Sequence, residues 1–196
     1  TLGLMKISDW LVQGGWMFIV ITPIIVKSLL KLTRQFAGGR YTLDYINLHL
    51  PVAGTIVYKT SVSRWTRTLG TLISAGVPIL EALNITRETS GNEVFGRMLG
   101  KVHAAIRQGD TFANPLRQSK TVDSLVVNMI DVGEETGDMD KMLEKIANNF
   151  DEDADVLVGS LMSLLEPIMI LVLGVLVGTI VVAMFLPMVS IITALM

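Results

Sequence analysis

The sequence contains no cysteine, which excludes disulfides, thiol nucleophiles and thiolate zinc sites and leaves the redox compartment unread. Histidine is almost as scarce. His49 and His103 have no second ligand at i+4, so metal chemistry has little to work with. Charge is missing over one long stretch: after Asp155 only Glu166 is ionisable, so the last 41 residues carry one charge. A soluble chain of 196 residues rarely has 51% hydrophobic side chains and a mean hydropathy of +0.55, so this is membrane composition. The formal net charge of −2 lacks the basic excess that nucleic-acid binding uses. No signal-peptide pattern follows Thr1, and an upstream portion is expected.

Two segments read as membrane spans. Between Asp9 and Lys27 lie 17 uncharged residues, and Ser28, Leu29 and Leu30 extend their apolar reach toward the roughly 20 residues needed to cross hydrocarbon. Trp10 and Trp16 suit an interfacial belt, and a membrane helix tolerates Pro23 when neighbours satisfy the freed carbonyl. The competing reading of this segment is a buried core helix. Residues 168–186, 19 in a row without charge, form the stronger span. Lys27, Lys31, Arg34 and Arg40 follow the first span and only Lys6 precedes it, so retention of basic residues on the cytoplasmic side turns both termini outward.

The middle reads as short helices separated by glycine stops. Val62, Trp65, Leu69, Leu72 and Ile73 recur at helical spacing; Gly76 then supplies a stop and Pro78 a new start. Asn92 caps a helix with the stripe Phe95, Met98, Leu99, Val102, Ala105 and Ile106, which ends at Gly109. Val122, Leu125, Val126, Met129 and Ile130 form the next stripe, closed by Gly137. Asp138 caps a last helix through Met139, Met142, Leu143, Ile146 and Phe150, expected to run into the second span with a bend at Pro167. The predicted fold is all-α: an antiparallel helical bundle of about six helices flanked by two transmembrane helices. Its expected segments are an external loop end (1–9), a transmembrane helix (10–31), a cytoplasmic bundle (32–155), a membrane-entry helix (156–167), a transmembrane helix (168–187) and an external tail (188–196).

Few residues carry chemistry. GRMLGK at 96–101 looks like a phosphate loop, but it has three residues between its glycines where four are needed and lies within a helix pattern. Asp151, Asp153 and Asp155 mimic a calcium loop that lacks its turn glycine and closing glutamate, so they read as a solvated face. Glu166 lies roughly 16 Å from the middle of the second span, near the headgroups rather than in a proton relay. Gly174 and Gly178 form a small-xxx-small step that lets helix backbones approach, and they are the helix-packing candidates. Glu134 and Glu135 sit next to the Gly137 stop, where the helix dipole disfavours carboxylates. Either they contact a partner, or they are solvated or answer Arg64 or Arg67. No catalytic, cofactor-binding or metal-ligating residue is assigned.

Leu50, Pro51 and Gly54, the run TLGTLISAGVPILEAL at 68–83, Gly109, GEETGDM at 133–139, Glu166 with Pro167, and Pro187 together resemble one family. It is the secretion system F family, the inner-membrane platform proteins of bacterial type II secretion and type IV pilus assembly. The resemblance covers the second half of such a protein, nearly end to end. It implies a repeated plan of two cytoplasmic helical domains, with the first domain and first span missing from this chain. It also implies a non-enzymatic scaffold without cofactor, in the bacterial inner membrane as a multi-pass protein with a cytoplasmic centre. The implied partners are an assembly ATPase, pilins or pseudopilins, other inner-membrane assembly proteins, further copies of itself and the lipid bilayer, with no nucleic acid. Pro115 departs from the family pattern and is expected to distort the short helix after Gly109; Met139 in place of leucine is neutral for packing. A polytopic channel or transporter subunit is the alternative function.

Overall fold

The structure, a computed structural model, describes residues 21–22 and 37–195. The expected first span at 10–31 therefore lies outside the described residues except for Ile21 and Thr22, which are helical. Among the described residues there are seven helices and no strand: α1 (Ala37–His49), α2 (Ala53–Ser74), α3 (Ile79–Thr89), α4 (Glu93–Arg107), α5 (Ala113–Ser119), α6 (Ser124–Thr136) and α7 (Met139–Leu195). The chain divides into two compact units, one of them Arg34–Val158 and the other containing α7 from Gly159 onward.

Glycine at positive φ ends three of the helices. After α2, Gly76 adopts φ +81°, and the Val77 amide bonds back to the Leu72 carbonyl, closing the last turn. Gly109 (φ +86°) lets the Asp110 amide reach Ala105 after α4, and Gly137 (φ +78°) caps α6. Helix starts follow the expected chemistry: Pro78 precedes α3, and the Asn92 side chain accepts the Val94 amide at 2.9 Å to open α4.

Burial unites these helices around one cluster. Val62, Trp65 and Leu69 of α2 meet Leu83, Phe95, Leu99, Leu116, Ile130, Leu143 and Ile146, all fully buried. Close neighbours include α3 with α4, α1 with α2, α2 with α3 and α5 with α6. The first turns of α7 run antiparallel to α2, because Gly70 faces Leu143 whereas Lys59 pairs with Asp153. Gly70 admits that approach: a methyl there would lie 3.1 Å from the Leu143 Cβ.

Three expectations need correction. Leu125, read as core, is 57% exposed, and Val127 is buried in its place, so the inner face of α6 is rotated from the expected stripe. Pro115 leaves α5 intact because it is the third helical residue, where the amide it lacks would have had no intrahelical acceptor. Pro167 does not interrupt α7, which runs unbroken from Met139 to Leu195.

Candidate functional site

Glu134 lies in the last turn of α6, yet it serves a different helix. Its carboxylate accepts the Phe112 amide at 2.8 and 2.9 Å and the Ala113 amide at 3.3 Å, capping the start of α5. Phe112, at the N-cap of α5, offers no side-chain acceptor of its own. A helix start without a capping side chain is the signal that an acceptor arrives from elsewhere, and only tertiary contact shows it to be Glu134. Glu135 is exposed. The bundle arginine expected as one alternative partner is engaged elsewhere: Arg67 donates to Asp151 at 2.6 Å and to Asn148 at 3.0 Å.

The aspartate row divides its work. Asp151 and Asp153 bind Arg67 and Lys59, so these carboxylates tie α7 to α2, while Asp155 is exposed. Burial opposes ionisation of Asp151, but hydrogen bonds from Ser63 and Arg67 and the Arg67 charge outweigh it and hold this carboxyl below the usual aspartate range. Among the described residues no group of three His, Asp or Glu side chains is arranged to hold a metal ion.

The glycines of the 96–101 motif lie on α4, as the sequence indicates, and they serve packing. Methyl groups on Gly96 and Gly100 would sit 3.9 and 3.6 Å from carbons of the Arg87 side chain, which lies along this glycine strip. Beside it, a groove of about 570 Å³ between α1, α3 and α4 is lined by Arg40, Asp44, Arg87, Asn92, Glu93 and Arg97. Asp44 adds a second cap to α4 by accepting the Glu93 amide at 2.8 Å. Helical periodicity carries no sign of this contact, which spans 49 positions.

Tyr58 is a further internal anchor. Its hydroxyl accepts the Asp123 amide at 2.9 Å, and its ring lies 6.0 Å from Phe95 and 6.1 Å from Phe150. Burial pushes the hydroxyl above the ordinary phenol range, with the nearby Asp123 charge adding to the shift and the bond from the Asp123 amide opposing it.

In α7 the most apolar 18-residue window has a mean hydropathy of 2.9, and this is the one described helix long and apolar enough to cross a membrane. Glu166 is exposed on it. A methyl group added to Gly174 or Gly178 would meet nothing within 4 Å among the described residues, so this face of the helix is open.

Residues 65–187 match the family profile "Type II secretion system (T2SS), protein F". The chain belongs to that family. It is 43% identical over 175 residues to a type IV pilus assembly protein, PilC, of Myxococcus xanthus, an alignment covering 88% of the chain and 42% of that protein. With PilC of Pseudomonas aeruginosa the identity is 37% over 186 residues, covering 93% and 49% respectively. A type II secretion system protein F of Xanthomonas campestris is 30% identical over 178 residues, covering 91% and 44%. The chain thus spans a little under half the length of these relatives. Within the family match lie α3 to α6 together with the apolar part of α7, so the helical module and the candidate span both belong to the shared pattern.

Proposed function

We propose that this chain is part of a non-enzymatic inner-membrane platform for pilus or secretion assembly, linking a cytoplasmic assembly ATPase to pilins or pseudopilins. The observation that carries the reading is α7. One helix contributes Leu143, Ile146 and Phe150 to the core of the family-matched module and continues into the apolar stretch. A motion imposed on the module would be passed on by an element that belongs to both units. Residues 168–187 are then a transmembrane segment, 10–31 another, and the module faces the cytoplasm, as the basic residues from Lys27 onward require. Gly174 and Gly178 are the surface for a second helix, whether from another copy or another assembly protein. Glu135, exposed beside the Gly137 turn, is proposed to meet a basic surface on the ATPase or on another platform domain.

The test is co-purification of the assembly ATPase with the longer membrane protein that carries this chain, in a strain whose pili or secreted protein can be counted. Glu135→Arg should reduce ATPase recovery and assembly while the amount of membrane protein is unchanged. Full recovery with normal assembly would remove Glu135 from the interface. If the parent protein, cross-linked in cells, captures neither ATPase nor pilin, the platform reading fails.

A further inference from the structure

The end of the helical module where α1 turns into α2 exposes apolar side chains that its core does not use. Ile46 is 51% exposed, Leu50 46% and Val52 53%, with Tyr45 beside them. Tyr45 stacks on His49 with ring centroids 4.2 Å apart, and the Tyr41 ring is 6.1 Å further along the same helix. Val52 is also strained. It adopts φ 65° and ψ −57°, and the Ala53 amide bonds to the Pro51 carbonyl at 2.8 Å, which defines a tight three-residue turn that a β-branched side chain rarely accepts. The strain holds a half-exposed valine at the tip of the turn, and such outliers persist where the surroundings or a function require them.

Helix register shows where this tip lies within the module. The α2 and α7 segments are antiparallel, with Lys59 level with Asp153. Six residues back from Lys59 is Ala53, roughly 9 Å along the axis, which is the level of the last module residues, Val156 to Val158. There α7 becomes apolar, with Val156 and Val158 both exposed. A second constraint comes from chain length: α1 starts six residues after residue 31, the expected end of the first span, a reach of at most about 20 Å. Both chain connections of the module therefore keep this end close to apolar sequence. Charge does not oppose the placement, because Asp151 and Asp153, one turn back on α7, are paired with Arg67 and Lys59.

We infer that this end of the module rests in the headgroup region of the lipid bilayer, with Ile46, Leu50 and Val52 in contact with lipid and Tyr45 at the boundary. A tyrosine has an apolar ring and a polar tip, which suits that position. Insertion removes the apolar residues from water without a protein partner. The inference rests on the reading of 168–187 as a membrane span, and the two can fail separately.

The cysteine-free chain allows the test. Single cysteines replace Ile46, Leu50, Thr71 and Leu176 of the full chain, each protein is checked for parental helical content by circular dichroism, and an environment-sensitive fluorophore is attached. The proteins are reconstituted in phosphatidylcholine vesicles with and without lipids carrying a nitroxide near the headgroup or deep in the acyl chain. Thr71 lies 19 residues from Val52 along α2, roughly 28 Å away. The expected result is loss of fluorescence at positions 46 and 50 with the shallow nitroxide, at 176 with the deep one, and at 71 with neither. Quenching at 176 with none at 46 or 50 beyond that at 71 would overturn the inference and leave the span intact. Blue-shifted but unquenched fluorescence at 46 and 50 would place a protein surface there and also overturn it. Absence of quenching at 176 would defeat the span reading, and the inference with it.

Discussion

Gly54 shows how one residue can set a corner. A methyl group on it would lie 2.3 Å from the Leu48 carbonyl oxygen, a backbone atom that cannot swing aside, so the α1 to α2 turn closes only over glycine. Gly54→Ala should destabilise the module by about 1–3 kcal/mol, seen as a lower urea midpoint, since the overlap can be relieved only by moving backbone. Val52, two residues earlier, has the opposite problem: its positive φ costs about 1–3 kcal/mol, more than the 0.5–1 kcal/mol of chain entropy that glycine adds. Val52→Gly should therefore raise the midpoint. Glu134 makes a third case. Glu134→Ala leaves two amides at the start of α5 without their acceptor and should lower stability by about 1–2 kcal/mol, with Glu134→Gln intermediate because one carbonyl oxygen remains. Equal stability of both variants and the parent would show that the cap adds nothing.

At the scale of elements, ion pairs fasten α7 to α2 and make the contact sensitive to acid. Asp151 has a folded pKa below its ordinary 3.8, so its contribution is complete above that value and is lost as pH falls through the lower, folded value. Both partners are nearly half exposed, and solvent screening keeps the effect well under about 1 kcal/mol. A series of urea melts from pH 6 to pH 2 should show this loss in the parent and a smaller one in Asp151→Asn. Further along α7, replacing both Gly174 and Gly178 by leucine should fill the open face and weaken association with a second helix, whereas Leu176→Ile should change little. Cross-linking in membranes measures this, and undiminished association of the double variant would make the glycine face ordinary lipid-facing sequence. The exposed stripe on α6 carries a lesson in register. Leu125 and Val127 are both apolar, so hydrophobic spacing alone could not say which of them faces the core.

For the whole molecule, orientation is the property most open to direct measurement. In intact cells an impermeant thiol reagent should label a cysteine at position 194 but not one at the exposed Gln118, because basic residues keep the module inside. Labelling at 118 would reverse the topology. The sequence by itself determined the all-helical class, the glycine and asparagine boundaries at Gly76, Asn92, Gly109 and Gly137, the apolar stretch of α7 and the family. Each depends on neighbours in the chain: a periodicity, a residue that tolerates positive φ, a run without charge, or a pattern of such signals. Only the tertiary structure decided that Glu134 caps α5 from 22 positions away, that Asp44 caps α4 from 49, that Asp151 and Asp153 bind α7 to α2, and that Arg87 lies along Gly96 and Gly100. Those contacts depend on which helix faces which. A carboxylate reads the same in sequence whether it meets water, an arginine or the bare amides at the start of a distant helix.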